Sequence, residues 1–125
     1  MPRNKIDFDT VRRIALELPG VEEASTRGTP ALKADGKLMT WIPVKKSVEP
    51  DTLAVRIDFD HRAELLATSP DVYYLIDHYL DYPAVLVRLS RIHPDALRDL
   101  LGMAWRFVTA KKPSARRATR KRRRP

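Results

Sequence analysis

The side chains of this chain best suited to proton transfer or nucleophilic attack are His61, His78 and His93, with Ser25, Ser47, Ser69, Ser90 and Ser114. The histidines are scattered, without the paired spacing that metal sites use, and no serine has a histidine and an acid beside it in sequence. His61 falls early in an expected helix and His93 just before Pro94, where capping or surface roles are natural. The acid pairs Glu22-Glu23 and Asp58/Asp60 suit a solvated loop and helix caps. Four glycines in total leave little material for a phosphate loop. With no cysteine, disulfides and thiolate metal sites are excluded. The expectation is a protein that is not an enzyme and carries no metal and no cofactor. His78 alone has suggestive company, because Tyr79, Tyr82 and Pro83 surround it. His78, Tyr79 and Tyr82 therefore form either a ligand-binding loop or a satellite cluster packed on a sheet.

The cations speak more clearly. Nine of the twenty-four Lys and Arg stand in the last fifteen residues, as Lys111, Lys112, Arg116, Arg117, Arg120, Lys121, Arg122, Arg123 and Arg124, and no acid accompanies them. Residues 1 to 110 carry the other fifteen bases and all sixteen acids, a net of about −1. Such a block fits DNA or RNA, because each neutralised phosphate releases a counterion and no fixed structure is needed. It carries no apolar residue pattern for entering a membrane. Within the domain, Lys33, Lys37, Arg56 and Arg88 are further candidates. Arg56 and Arg88 share an exposed sheet face if their strands are neighbours, and with Trp41 or Tyr73 nearby that face could dock phosphates and stack a base. The alternative for the domain is an interaction module that holds a protein or small ligand at the sheet face or at the loop of His78 and Tyr82.

The elements that must position these residues follow from periodicity. Val11, Ile14, Ala15 and Leu18 form one stripe of a helix, capped by Asp7 or Asp9 and ended by Leu18-Pro19-Gly20. After a polar connection, Pro30 to Ala34 and Lys37 to Ile42 flank Asp35-Gly36, a hairpin turn that reaches positive φ cheaply. Leu53, Val55, Ile57 and Phe59 alternate with Ala54, Arg56 and Asp58, a strand with one face on the core and one facing water. Asp60 is expected to cap a short helix closed by Ser69-Pro70, and Val72 to Ile76 and Ala84 to Ile92 are the next strands. Pro94 opens the last helix, whose stripe Leu97, Leu100, Leu101, Ala104, Trp105 and Val108 should bury Trp105 at its centre. The fold class is α+β: a two-layer sandwich of an antiparallel sheet of about five strands with helices on one face, in the order helix, three strands, helix, two strands, helix. Residues 1–110 make this domain and 111–125 a disordered basic tail. Apolar runs such as Ala84 to Val87 are far short of the roughly 20 residues that span a bilayer. A cytoplasmic monomer without membrane contact is expected, associated with the nucleoid if it binds DNA.

Several segments in this order resemble the MmcQ/YjbR family. They are Val11 through Leu18-Pro19-Gly20 to Glu23, Gly28-Thr29-Pro30, Gly36-Lys37, His78-Tyr79-Leu80-Asp81-Tyr82-Pro83 on to Leu89, and Leu97 through Trp105-Arg106. The resemblance spans about residues 7 to 110. It implies an antiparallel sheet with helices on one side, comparable to the CyaY-like or double-wing architecture, and through that architecture DNA binding. The chain departs from the family pattern at Leu32, where an aromatic is common, and at Asp81, where glycine is common.

Overall fold

A computed structural model describes residues 6–110, so the tail expected to be disordered lies outside the described residues. Three α-helices, α1 (Phe8–Ala15), α2 (Phe59–Thr68) and α3 (Pro94–Thr109), join six strands. These are β1 (Val21–Thr26), β2 (Thr29–Ala34), β3 (Lys37–Trp41), β4 (Thr52–Arg56), β5 (Tyr73–Tyr74) and β6 (Ala84–Arg88). A short 3-10 turn, Asp77–Tyr79, lies between the last two strands. The sheet order is β1-β2-β3-β4-β6-β5, and every neighbouring pair is antiparallel.

The α+β architecture matches expectation, with local differences, among them that the strands expected over Val72 to Ile76 and Ala84 to Ile92 are confined to Tyr73–Tyr74 and Ala84–Arg88. The polar segment Val21–Thr26 is a strand, the sixth, because an edge strand needs only partial burial and its backbone pairs fully with β2. Asp7 caps α1 by accepting from the Thr10 N–H at 3.1 Å, and the helix stops at Ala15, a turn before Pro19. Asp58, not Asp60, caps α2: β4 ends at Arg56, and the Asp58 carboxylate accepts from the His61 N–H at 3.0 Å. Burial alone would raise the Asp58 carboxyl, but the His61 backbone and ring hydrogen bonds hold it below the ordinary carboxylate range. Finally, Trp105 is only partly buried, and its indole N–H donates to the Pro19 carbonyl at 2.7 Å. A ring with a polar edge settles at the rim, where that edge finds a partner. The fully buried centre of α3 is Leu97, Leu100, Leu101 and Ala104.

α1 and α3 cover one face of the sheet. Leu32 and Ala34 of β2, Met39 of β3, Leu53 and Val55 of β4, and Val85 and Val87 of β6 meet the α3 leucines there in one continuous core. Leu32 is fully buried in it. The opposite face is not the solvated surface that alternation in β4 suggests. Thr52 and Ala54 are buried, and Ala54 joins Ala31, Trp41, Tyr79, Ala84 and Leu86 in a second, smaller cluster. The segment between β5 and β6 supplies the cover.

Candidate functional site

The second face owes its aromatic content to an irregularity in β3. Leu32 pairs with Thr40 but Lys33 pairs with Leu38, so Met39 is an extra residue opposite no partner. A bulge of this kind reverses the in–out alternation beyond it. Leu38 and Trp41 consequently both belong to the second face, while Met39 belongs to the helix-side core. Without the bulge, Trp41 would share the face of Met39. Tyr79 and Tyr82 pack on Trp41, each with ring centroids 6.3 Å from it, and His78 meets Tyr79 edge-on at 4.8 Å.

What holds this loop in place is Arg62, on α2. Its Nη1 donates to the carbonyls of Tyr79 (3.0 Å), Tyr82 (2.9 Å) and Ala84 (3.1 Å), and Nη2 donates to Leu80 (2.9 Å). The guanidinium also lies 4.6 Å over the Phe59 ring. Irregular backbone buried against a sheet needs partners for its carbonyls, and the planar fork of one arginine supplies four. Burial pulls the Arg62 pKa below the ordinary arginine range, and nearby Asp81 opposes that shift. Asp81 does not have a positive φ, so the loop does not require the glycine common in the family at that position.

An open groove of about 310 Å³ lies beside the loop, lined by Thr26, Arg27, Leu38, Trp41, His78, Tyr79 and Tyr82. A recess of about 50 Å³ shares Thr26, Arg27, Trp41, His78 and Tyr79 with it and adds Ile42, Pro43, Val44 and Lys45. No carboxylate lines either space. Trp41 and Tyr79 are 7% and 6% exposed and form a floor, whereas Tyr82 at 37% and the exposed His78 offer ring surface. Two other clefts have acids in their walls, one of about 400 Å³ with Asp7 and Glu49 and one of about 350 Å³ with Asp58 and His61.

The cations expected on the sheet face divide differently. β4 and β6 are neighbours, and Thr52↔Arg88 with Arg56↔Ala84 puts Arg56 and Arg88 on one face. They stand at opposite ends of it, four residues or about 13 Å apart at 3.3 Å per residue. Both are engaged internally. Arg88 makes a two-toothed pair with Glu49 (Nε–Oε1 and Nη2–Oε2, both 2.9 Å), donates to the Pro70 and Asp71 carbonyls, and lies 4.4 Å over the Tyr74 ring. Arg56 donates to the Pro83 carbonyl at 3.2 Å and lies over Tyr82 and Phe107. Tyr73 belongs to the helix-side core and Trp41 to the floor of the second face, so neither ring completes a basic stacking surface with these arginines. Lys33 and Lys37 are exposed near the β2–β3 turn and line neither the groove nor its recess. The nine tail cations lie outside the described residues. Among the described residues no cluster of three His, Asp or Glu converges on a point that could hold a metal ion, and no helix is long and apolar enough to cross a membrane.

Two participants escaped the sequence reading. Arg62 looks like any exposed helical arginine, and nothing local marks it. Arg27 was findable: Arg27-Gly28 between Val21–Thr26 and Thr29–Ala34 is a two-residue turn between β-prone segments.

A six-stranded antiparallel sheet with helices on one face and a pinned aromatic loop on the other defines a small α+β domain. The chain belongs to the YjbR family, whose model matches residues 16–107. Uncharacterised proteins of Mycobacterium tuberculosis and Mycobacterium bovis are each 34% identical to it over 112 residues, covering 78% of this chain and 84% of the relative. The crystal structure of Deinococcus radiodurans protein DR2400, with a DUF419 domain, shares the fold: TM-score 0.68 at 21% identity, over 84% of this chain and 80% of that one.

Proposed function

We propose that this YjbR protein is a non-catalytic nucleic-acid-binding protein that holds DNA or RNA chiefly through phosphate contacts, without reading sequence. The supporting observation is the partition of charge. Residues 111–125 carry nine cations and no acid, while residues 1–110 balance at about −1. The two strand arginines that could have made a docking face are engaged by Glu49 and by loop carbonyls. Attraction to a polyanion is therefore assigned to residues 111–125, since counterion release needs no fixed structure.

The test is binding measured against salt, for the full chain and for residues 1–110. The shorter chain keeps every residue of both apolar clusters, and the family match ends at residue 107. The full chain should give a slope of log K against log [salt] of about −4 to −7, short of the roughly −8 that nine contacts would produce. Two unrelated duplexes of equal length should bind alike, because phosphate contacts position without specifying. Residues 1–110 should lose nearly all affinity for duplex. Tight binding of one sequence by the shorter chain would overturn the proposal.

A further inference from the structure

We propose that the groove beside Trp41 is a nucleotide site, in which the recess between Arg27 and Lys45 takes a phosphate and the main groove takes the base that carries it. This goes beyond the role of the tail and does not depend on it. Three observations meet here.

The first is size and lining. About 310 Å³ of open groove is at the lower end of what small-molecule sites offer, and the adjoining recess of about 50 Å³ has room only for a compact group. Rings from Trp41, Tyr79, Tyr82 and His78 bound the larger space, and planar ligands gain from such surfaces.

The second is charge. Arg27 and Lys45 line the recess and His78 stands beside them, with no carboxylate in the lining. Neither Arg27 nor Lys45 has an ion-pair partner among the described residues. That lining fits an anion.

The third is the backbone. β1–β2 and β2–β3 are both joined by two-residue turns, closed by Thr26↔Thr29 and Ala34↔Lys37. Both turns have two positive-φ residues, Arg27 (52°) with Gly28 (79°) and Asp35 (52°) with Gly36 (78°). Aspartate enters the left-handed region readily; arginine does not. A residue kept in a disfavoured conformation at the lip of a cleft points to a use for its side chain. Gly28 supplies the turn's second positive φ with open space around it, whereas Arg27 could be replaced by a better turn former at no cost to the fold.

A base with its phosphate can arrive as a free nucleotide or as one unit of a single strand. The full chain would be titrated at about 0.3 M salt, where the tail's phosphate contacts are weakened. The probes are a purine 5′-monophosphate, the same nucleoside without phosphate, inorganic phosphate, and a single-stranded trinucleotide. The readout is the indole N–H resonances of Trp41 and Trp105, the latter an internal reference tied to Pro19 away from the groove.

The monophosphate should shift Trp41 and leave Trp105 in place, and should bind at least about tenfold more tightly than the nucleoside or phosphate alone. Arg27→Asn should keep or raise the melting temperature while weakening the monophosphate about tenfold or more, a split that a merely structural role cannot produce. Lys45→Gln should weaken it similarly and Arg13→Gln, on exposed α1 surface, should not. A trinucleotide binding about tenfold more tightly than the monophosphate assigns the source to a strand; equal affinity assigns it to free nucleotide. A silent Trp41, equal binding of phosphate and monophosphate, or unchanged affinity in Arg27→Asn overturns the proposal. A mononucleotide held by the tail alone would leave Trp41 unmoved, so failure here and failure of the tail are separately visible.

Discussion

The two faces of this sheet are covered by different physics. On the helix side, α1 and α3 lay leucines and valines onto alternate residues of β2, β4 and β6, and the cover is held by area removed from water. On the other side there is no helix. A short aromatic segment lies on alanines, Leu86 and one tryptophan; the Arg62 guanidinium holds four carbonyls of its backbone, and Arg56 and the Ile57 N–H hold that of Pro83. The first kind of cover is global, since any large loss loosens the whole core. The second is local, because one side chain, Arg62, supplies four of the bonds that tie the segment to the rest of the domain. That difference fits the place of the aromatic groove on the second face, where a loop propped from one side leaves space at its margin.

The largest effect should come from the helix side. Leu100 is fully buried, and Leu100→Ala should lower stability by about 2–5 kcal/mol, measured by urea unfolding. All amide protons of the core should lose protection together. Arg62→Met should cost less, about 1–3 kcal/mol from carbonyls left without donors, and the loss should be uneven. Hydrogen exchange should accelerate at residues 77–84 and at the Trp41 indole well before β2 or α3 responds. Uniform loss of protection in Arg62→Met would erase the distinction between the two faces.

Trp105→Phe probes the boundary. It removes the bond to the Pro19 carbonyl but keeps most of the ring, and about 0.5–1.5 kcal/mol is expected. A cost as large as that of Leu100→Ala would return Trp105 to the centre of the stripe.

What could be seen in the sequence was mostly the helix side. The heptad-like spacing from Leu97 to Val108, the alternation of Leu53, Val55 and Ile57, and the Asp35-Gly36 turn are local signals, and each corresponds to an element in place. The second face was illegible for three physical reasons. A bulge changes which face Trp41 serves, and no composition marks Met39 as the extra residue. The return of β6 between β4 and β5 is a tertiary choice that leaves no trace in the links between strands. Arg62 acts through carbonyls seventeen to twenty-two positions away, and carbonyls have no sequence identity. His78, Tyr79 and Tyr82 were legible as a cluster, and Arg27, which completes the groove, was marked only by the two-residue turn it shares with Gly28.

The smallest expected effect concerns the polar clamp at the margin of the second face. Arg88, at the end of β6, holds Glu49 of the β3–β4 loop, and the Tyr74 hydroxyl accepts from the Glu49 N–H at 2.9 Å. The hydrogen bonds from Arg88 hold the Glu49 carboxyl below the ordinary glutamate range. A depressed folded-state pKa contributes stability that is present above the unfolded value of about 4.3 and is lost as pH falls through the folded value. Glu49→Gln should therefore differ from the parent protein by a small constant amount above about pH 5, and the two curves should converge below it. Asp7 and Asp58 are lowered as well, Asp7 chiefly by the Thr10 N–H, so the substituted protein should keep part of the acid slope. Because the pair is exposed on the Glu49 side, added salt should shrink the difference further. Curves that stay parallel from pH 7 to pH 3 would mean that Arg88 does not hold Glu49 in solution, and the loop bordering the second face would then need another anchor.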